Sequence, residues 1–273
     1  MPRKRGKRLT VGIAGLGAIG MDVAKRLAAG IPGLKLAAVS ARDAKAATAR
    51  LKGAGIKAPV VALPELARRA DIVVECLPAS QFRAVAEPAI KRRRIFVPLS
   101  VGALLTNFDL VARAKKTGAR IVVPTGALIG LDAVRAAAQG TIHSVRMVTR
   151  KPPAGLAGAP YLTARGIALV GLAAPTKVFE GSARDGAAGF PANVNVAAAL
   201  SLAGIGPDRT TLEIWADPGL TRNTHTIEVD ADSARFSMTI ENVPSENPKT
   251  GRITALSVIA CLKGLVETLR VGS

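Results

Sequence analysis

Leu9-Thr10-Val11-Gly12-Ile13-Ala14-Gly15-Leu16-Gly17-Ala18-Ile19-Gly20 reads in one line as a buried strand, a glycine turn and the start of a helix. Leu9, Val11 and Ile13 are strand formers. The spacing Gly15-x-Gly17-x-x-Gly20 lets the backbone turn tightly, lie against a pyrophosphate and pack a helix close to its strand. The helix is expected over Ala18–Ala29. Its N–H groups, those of Ala18, Ile19 and Gly20 foremost, and its positive dipole end would face the phosphates, so a dinucleotide could bind there without a basic side chain.

The chain has 273 residues, enough for two modest domains. No apolar run reaches the roughly 18 residues that a membrane helix needs. The basic stretch Met1–Arg8 followed by an apolar segment superficially resembles a secretory leader, but glycines interrupt that segment with dinucleotide-turn spacing. Cys76 and Cys261 are the two cysteines. They argue for reduced thiols in a cytoplasmic protein rather than a disulfide framework. Lys and Arg number 38 against 19 Asp and Glu, a net charge of +19, which raises the question of nucleic-acid binding. With one Trp, one Tyr and six Phe, however, there is no stacking platform, and five of the cations crowd the leading tail (Arg3, Lys4, Arg5, Lys7, Arg8). A positive field that attracts anionic substrates and cofactors is the expected consequence, and specific nucleic-acid binding is not expected.

Beyond the first helix, Leu34–Ser40 reads as a second strand whose end falls about 20 residues past the glycine turn, where an acid would hold the ribose of NAD. Ser40-Ala41-Arg42 stand there instead. A serine and an arginine suit a 2′-phosphate, so NADP is expected to be accepted alongside NAD. In the alternative reading Arg42 is a solvated charge and Asp43 takes the ribose. Helix Ala44–Lys52, a short strand Pro59–Leu63, helix Pro64–Arg69, a strand from Asp71, helix Ser80–Lys91, strand Ile95–Ser100, helix Asn107–Thr117 and strand Ala119–Val123 follow. This alternation implies a Rossmann-type, doubly wound parallel sheet over residues 1–126, with its cleft at the carboxyl ends of the strands. Cys76–Ser80, Ser100–Leu104 and Thr125–Ile129 would border that cleft.

The pattern then changes. Strands Thr141–Arg150 and Lys177–Ser182, and a helix Asn193–Ala203 capped by Asn193 and ended by Gly204, precede three strands at Thr211–Asp217, Thr224–Asp230 and Ala234–Val243. Successive strands on short turns imply a second, α+β domain over 127–249, built on a mainly antiparallel sheet. The last segment, 250–273, with a helix Ile253–Leu269, would pack back on the first domain.

The second domain holds a dense polar set: Asn193 and Asn195, Arg222-Asn223-Thr224-His225, and Glu241 through Lys249. On an alternating strand His225 shares a face with Asn223, Ile227 and Val229, toward the core or a closed cleft. His143, in a plain strand, reads as a core histidine. The histidines and cysteines have no metal-site spacing.

These residues resemble the L-aspartate dehydrogenase family. The likeness lies in Val11–Gly20, Pro124-Thr-Gly-Ala-Leu-Ile-Gly-Leu-Asp-Ala, Thr149-Arg-Lys-Pro-Pro, Phe190-Pro-Ala-Asn-Val-Asn-Val, Arg222-Asn-Thr-His and Glu241-Asn-Val-Pro-Ser-Glu-Asn-Pro-Lys-Thr, in order along nearly the whole chain. The resemblance implies an NAD(P)-dependent oxidoreductase that interconverts L-aspartate and oxaloacetate plus ammonia through iminoaspartate, feeding NAD biosynthesis. It implies His225 as the catalytic residue, Ala127 and Asn193 as cofactor contacts near the nicotinamide with Asn195 close by, and a homodimer through the second domain's sheet. The chain departs from the family pattern in its basic tail, the missing acid after the second strand, and Pro78. Lys151 and Arg222 are candidates for the substrate's carboxylates. Another two-domain NAD(P)-dependent reductase, homoserine-dehydrogenase-like, and a non-catalytic nucleotide-sensing regulator are the competing readings.

Overall fold

A computed structural model of the chain describes residues 8–245 and 251–272. The basic stretch Arg3–Lys7 and the polar stretch Glu246–Lys249 lie outside the described residues. In chain order the elements are β1 (Leu9–Ala14), α1 (Ala18–Ala29), β2 (Leu34–Ser40), α2 (Ala44–Gly53), α3 (Leu63–Arg69), β3 (Ile72–Glu75), α4 (Phe82–Lys91), β4 (Ile95–Pro98), α5 (Val101–Thr106), α6 (Asp109–Thr117) and β5 (Arg120–Ile121). There follow α7 (Leu131–Ala137), β6 (Ile142–Lys151), α8 (Pro160–Ala164), β7 (Thr176–Ser182), α9 (Ala183–Gly189), α10 (Asn195–Ala203), β8 (Thr210–Ala216), β9 (Asn223–Ala231), β10 (Arg235–Asn242) and α11 (Ile253–Gly264). Contacts divide them into two compact units. The first holds 8–100, 107–124 and 255–270, and the second holds 101–106 and most of 125–254.

The first unit is built on a sheet of order β2-β1-β3-β4-β5, and its pairs are parallel. The order reverses between β1 and β3, which is where an open sheet of this kind leaves a crevice beyond the strand ends. Val11, Ile13, Val39, Ile72 and Val74 are buried on the sheet, against Val23, Ala24 and Leu27 of α1 and Val258, Ile259 and Leu262 of α11. On β1, Gly12 lets α3 approach, because a Cβ there would lie 2.9 Å from Leu66. Pro59–Leu63 does not form the expected strand. It contributes a single bridge, Val39 to Val60, before α3 begins at Leu63 with Pro64 in its first turn. Pro59 and Pro64 lack the N–H groups that a longer ladder would use.

The second unit contains a sheet of order β10-β9-β6-β8-β7, antiparallel except where β6 runs parallel to β8. The last three strands were expected as consecutive neighbours, but β6 inserts between β8 and β9. Each edge of β6 is therefore paired, and its alternation holds Val145, Met147, Thr149 and Lys151 on the buried face. His143 is a correction: it is exposed, because a bulge between Ile142 and Ser144 takes it out of that alternation. Helix α10 starts two residues later than expected, with Val194 rather than Asn193 at its cap, and α11 ends at Gly264, short of Leu269.

Candidate functional site

The three glycines of the turn meet three different constraints. Gly15 has φ +100°, and a Cβ there would lie 2.6 Å from the Cys76 carbonyl oxygen. At Gly20 a Cβ would sit 2.0 Å from the carbonyl oxygen of Gly15, so α1 can close on β1 only without a side chain. Gly17 has no atom within 4 Å of a Cβ position and is exposed. It is also the N-terminal cap of α1, whose first turn has neither a capping side chain nor an acid. An uncovered helix start behind a side-chain-free turn fits a pyrophosphate. The Gly15 N–H donates to the Ser40 carbonyl at 2.7 Å, tying this turn to the end of β2.

Ser40 is buried at that end and Arg42 is exposed just beyond it. Asp43, the alternative ribose ligand, caps α2: its Oδ1 accepts the Ala46 N–H at 2.9 Å. Sequence reasoning missed Arg50, which reaches from α2 to donate to the Leu16 carbonyl at 2.7 Å inside the glycine turn. Its signal, one arginine on an amphipathic helix, does not differ from that of its neighbours.

Glu75, also missed, is a fully buried carboxylate at the end of β3. It accepts from the N–H groups of Leu77, Leu99 and Ser100 and from the Ser100 hydroxyl, at 2.8 to 3.2 Å. Burial raises its pKa and these donors oppose the rise. The bonds clamp together the segments that follow β3 and β4, both of which the sequence places at the crevice.

In the second unit Thr149 and His225 face each other across β6 and β9, with Thr149 Oγ1 at 3.2 Å from His225 Nδ1. His225 is 3% exposed. Burial, and next the charge of Lys151, push its pKa down to about 3, so the imidazole is neutral at ordinary pH. Lys151 lies two residues beyond Thr149 on the same strand face, 4% exposed, and burial lowers its pKa to about 8. Its Nζ donates to Asn193 Oδ1 at 3.0 Å. Asn195 does a different job: its Oδ1 accepts the Gly102 N–H at 3.0 Å and joins α10 to α5. The Ala127 carbonyl accepts from Asn242 Nδ2 at 3.0 Å. Asn242 pairs with Asn223 across β10 and β9, and both are buried. Arg222 is turned away from this group, exposed and 3.7 Å from Glu241. The Thr149-Arg-Lys-Pro-Pro motif by itself gives Thr149 no role. Only the β6–β9 register shows that it faces His225.

A parallel sheet with an uncovered glycine turn, joined to a second unit that buries a neutral histidine beside a lysine, defines a two-unit NAD(P)-dependent dehydrogenase. Residues 15–124 match the NAD-binding domain of homoserine dehydrogenase, and residues 132–265 match the C-terminal domain of aspartate dehydrogenase. The chain is 60% identical to the L-aspartate dehydrogenase of Bradyrhizobium diazoefficiens over 97% of its own length and 94% of the relative's. It is 54% identical to L-aspartate dehydrogenase 3 of Bordetella bronchiseptica, covering 98% of both chains. The fold is that of the aspartate dehydrogenase of Thermotoga maritima, with TM-score 0.72 at 22% identity over 97% of this chain and 100% of that one. The chain belongs to the L-aspartate dehydrogenase family.

The buried imidazole has a consequence for stability. Its pKa falls from an ordinary 6.5 to about 3 in the folded chain. Between those values the unfolded chain binds a proton that the folded chain does not, so stability falls as pH drops through the window. His225→Gln removes this dependence while His143, common to both proteins, cancels. Between pH 7.5 and pH 5 the stability difference should move in favour of the variant by about 2 kcal/mol. Urea unfolding of both proteins at both pH values checks this, and a constant difference would show that His225 is not held neutral.

Proposed function

We propose that this protein oxidises L-aspartate with NAD(P) to iminoaspartate, which water converts to oxaloacetate and ammonia, and that it catalyses the reverse amination. The single observation that carries this reading is the buried Thr149–His225 pair, set beside Lys151 in a chain that belongs to this family. The dinucleotide supplies the hydride acceptor. Gly15, Gly17 and Gly20, with the N–H groups of Ala18 and Ile19, would hold its phosphates, and Ala127, Asn193 and Asn195 its nicotinamide end. When Nδ1 carries the proton and donates to Thr149 Oγ1, His225 Nε2 presents a lone pair. That nitrogen takes the proton from water as it adds to the imine carbon, and in amination it returns a proton to the departing hydroxyl. Thr149 fixes the ring and the tautomer, which makes it a positioning residue.

A positioned acid–base group contributes about 10² to 10⁴-fold. His225→Ala should therefore lower kcat for L-aspartate on that scale, with NADPH affinity changed only a few-fold. Reduction of NAD(P) with L-aspartate, set against homoserine as the competing substrate, tests the function. Near-normal turnover in the folded variant would remove His225 from the reaction.

Ser40 and Arg42 stand where the ribose end of the cofactor would lie, and Asp43 beside them is engaged as a helix cap. We assign Arg42 to the 2′-phosphate of NADP, with NAD also used. Arg42→Asp should shift the ratio of kcat/KM values toward NAD by about tenfold or more, the loss of one charge-assisted contact. An unchanged ratio frees Arg42 of that role.

The assembly we propose is a homodimer through the outer face of the second sheet, where Arg146 spans Glu213 and Glu228 at 2.7 and 2.8 Å and Trp215 is half-buried. Light scattering should give the mass of two chains, and the mass of one chain would overturn the assembly.

A further inference from the structure

We propose that Lys151 is a substrate-binding residue: its ammonium takes a carboxylate of the amino-acid substrate on the buried sheet face that carries His225. This rests on the function proposed above and goes beyond it, because it assigns the residue that recognises the anion.

Lys151 is a buried side chain at the end of the central strand of its sheet. An ammonium has three N–H donors, and among the described residues one is used, on the amide oxygen of Asn193. Buried cations are ordinarily paired with an anion. Among the described residues, no carboxylate lies within ion-pair distance of Lys151. Nearby charges are otherwise engaged. Asp217, whose N–H donates to the Lys151 carbonyl, turns its Oδ1 to the Gly219 N–H and its Oδ2 toward Arg150 at 3.7 Å. Arg150 itself points to the opposite face, over the Trp215 ring at 4.8 Å. The titratable group that shares the face of Lys151 is His225 from β9, and it is neutral. Asn193 and the backbone at Gly155, which also lie against the Lys151 side chain, are uncharged. The result is a desolvated positive charge with donor capacity to spare, and an acid of the substrate complements it.

The placement also links recognition to proton transfer. The positive charge of Lys151 disfavours a second positive charge on His225. A carboxylate that neutralises Lys151 removes that penalty, so the imidazole gains proton affinity only when substrate is bound. A clamp that merely fastened β6 to Asn193 would have no such effect.

The test uses the full-length protein with NADPH and succinate, a dicarboxylate that cannot be oxidised at an amino carbon. Lys151→Met keeps the length of the side chain and removes the charge. It should raise the KM for L-aspartate and the inhibition constant of succinate by about 10- to 100-fold, the range for a lost charge-assisted bond. NADPH affinity should change no more than about threefold. A folded variant with wild-type KM and succinate affinity overturns the assignment. Should the variant not fold, calorimetry of the wild-type protein decides. At about pH 8.5 succinate binding should draw more than about half a proton from the buffer, because the bound carboxylate raises the pKa of Lys151. The same binding heat in buffers of different ionisation enthalpy would overturn it. If the wild-type protein oxidises no L-aspartate, the function of the preceding subsection fails. If it does and either Lys151 result is negative, only this assignment fails.

Discussion

Pairing on both edges of β6 is the constraint on which the second unit depends. A strand held on one side by β8 and on the other by β9 cannot slip by one residue without turning every side chain to the other face. That pairing sends Thr149 and Lys151 inward and Arg146 and Arg150 outward. It brings His225 opposite Thr149, where the two side chains meet at 3.2 Å. The polar group is therefore a product of backbone hydrogen bonding, and its electrostatics are what the fold imposes on residues that would otherwise be solvated. Burying an imidazole and an amine on the same face costs free energy, which lowers the pKa of both groups.

The first unit has its own version of the same principle. Gly20 exists because the Gly15 carbonyl occupies the space a side chain would need, and Gly17 because nothing does. The buried carboxylate of Glu75 extends this rigidity to the segments that follow β3 and β4, since its oxygens are filled by backbone donors. A loop fastened from within by a carboxylate is far better defined than one whose amides face water. Arg50 fastens the glycine turn from the other side through the Leu16 carbonyl.

Other cations of the chain are held in exposed ion pairs. Arg83, with Glu87 and Asp109, and Arg184, with Asp208, form exposed pairs of the kind that solvent and salt screen.

Much of this was legible before any coordinates. The Gly15-x-Gly17-x-x-Gly20 turn, the alternation of strands and helices around it, and the inward face of His225 all follow from local rules: glycine sterics, strand period and helix capping act over a few residues. Where the reading failed, the cause was pairing between distant segments. Pro59–Leu63 is apolar enough for a strand but makes one bridge, and His143 lies in strand pattern yet emerges at a bulge. Asn193 had the right residue type for a cap, but its side chain is taken by Lys151. The dinucleotide turn, the division into parallel and antiparallel parts, and the polar residues from which a site could be made are all written in local stretches of the chain. That β6 separates β8 from β9, that Thr149 and Lys151 share the face of His225, and that Arg222 does not, emerge from the folded chain alone. Strand neighbours are chosen by packing over the whole chain, and the pKa of a group is set by what that packing excludes, neither of which is written in the residues next to it.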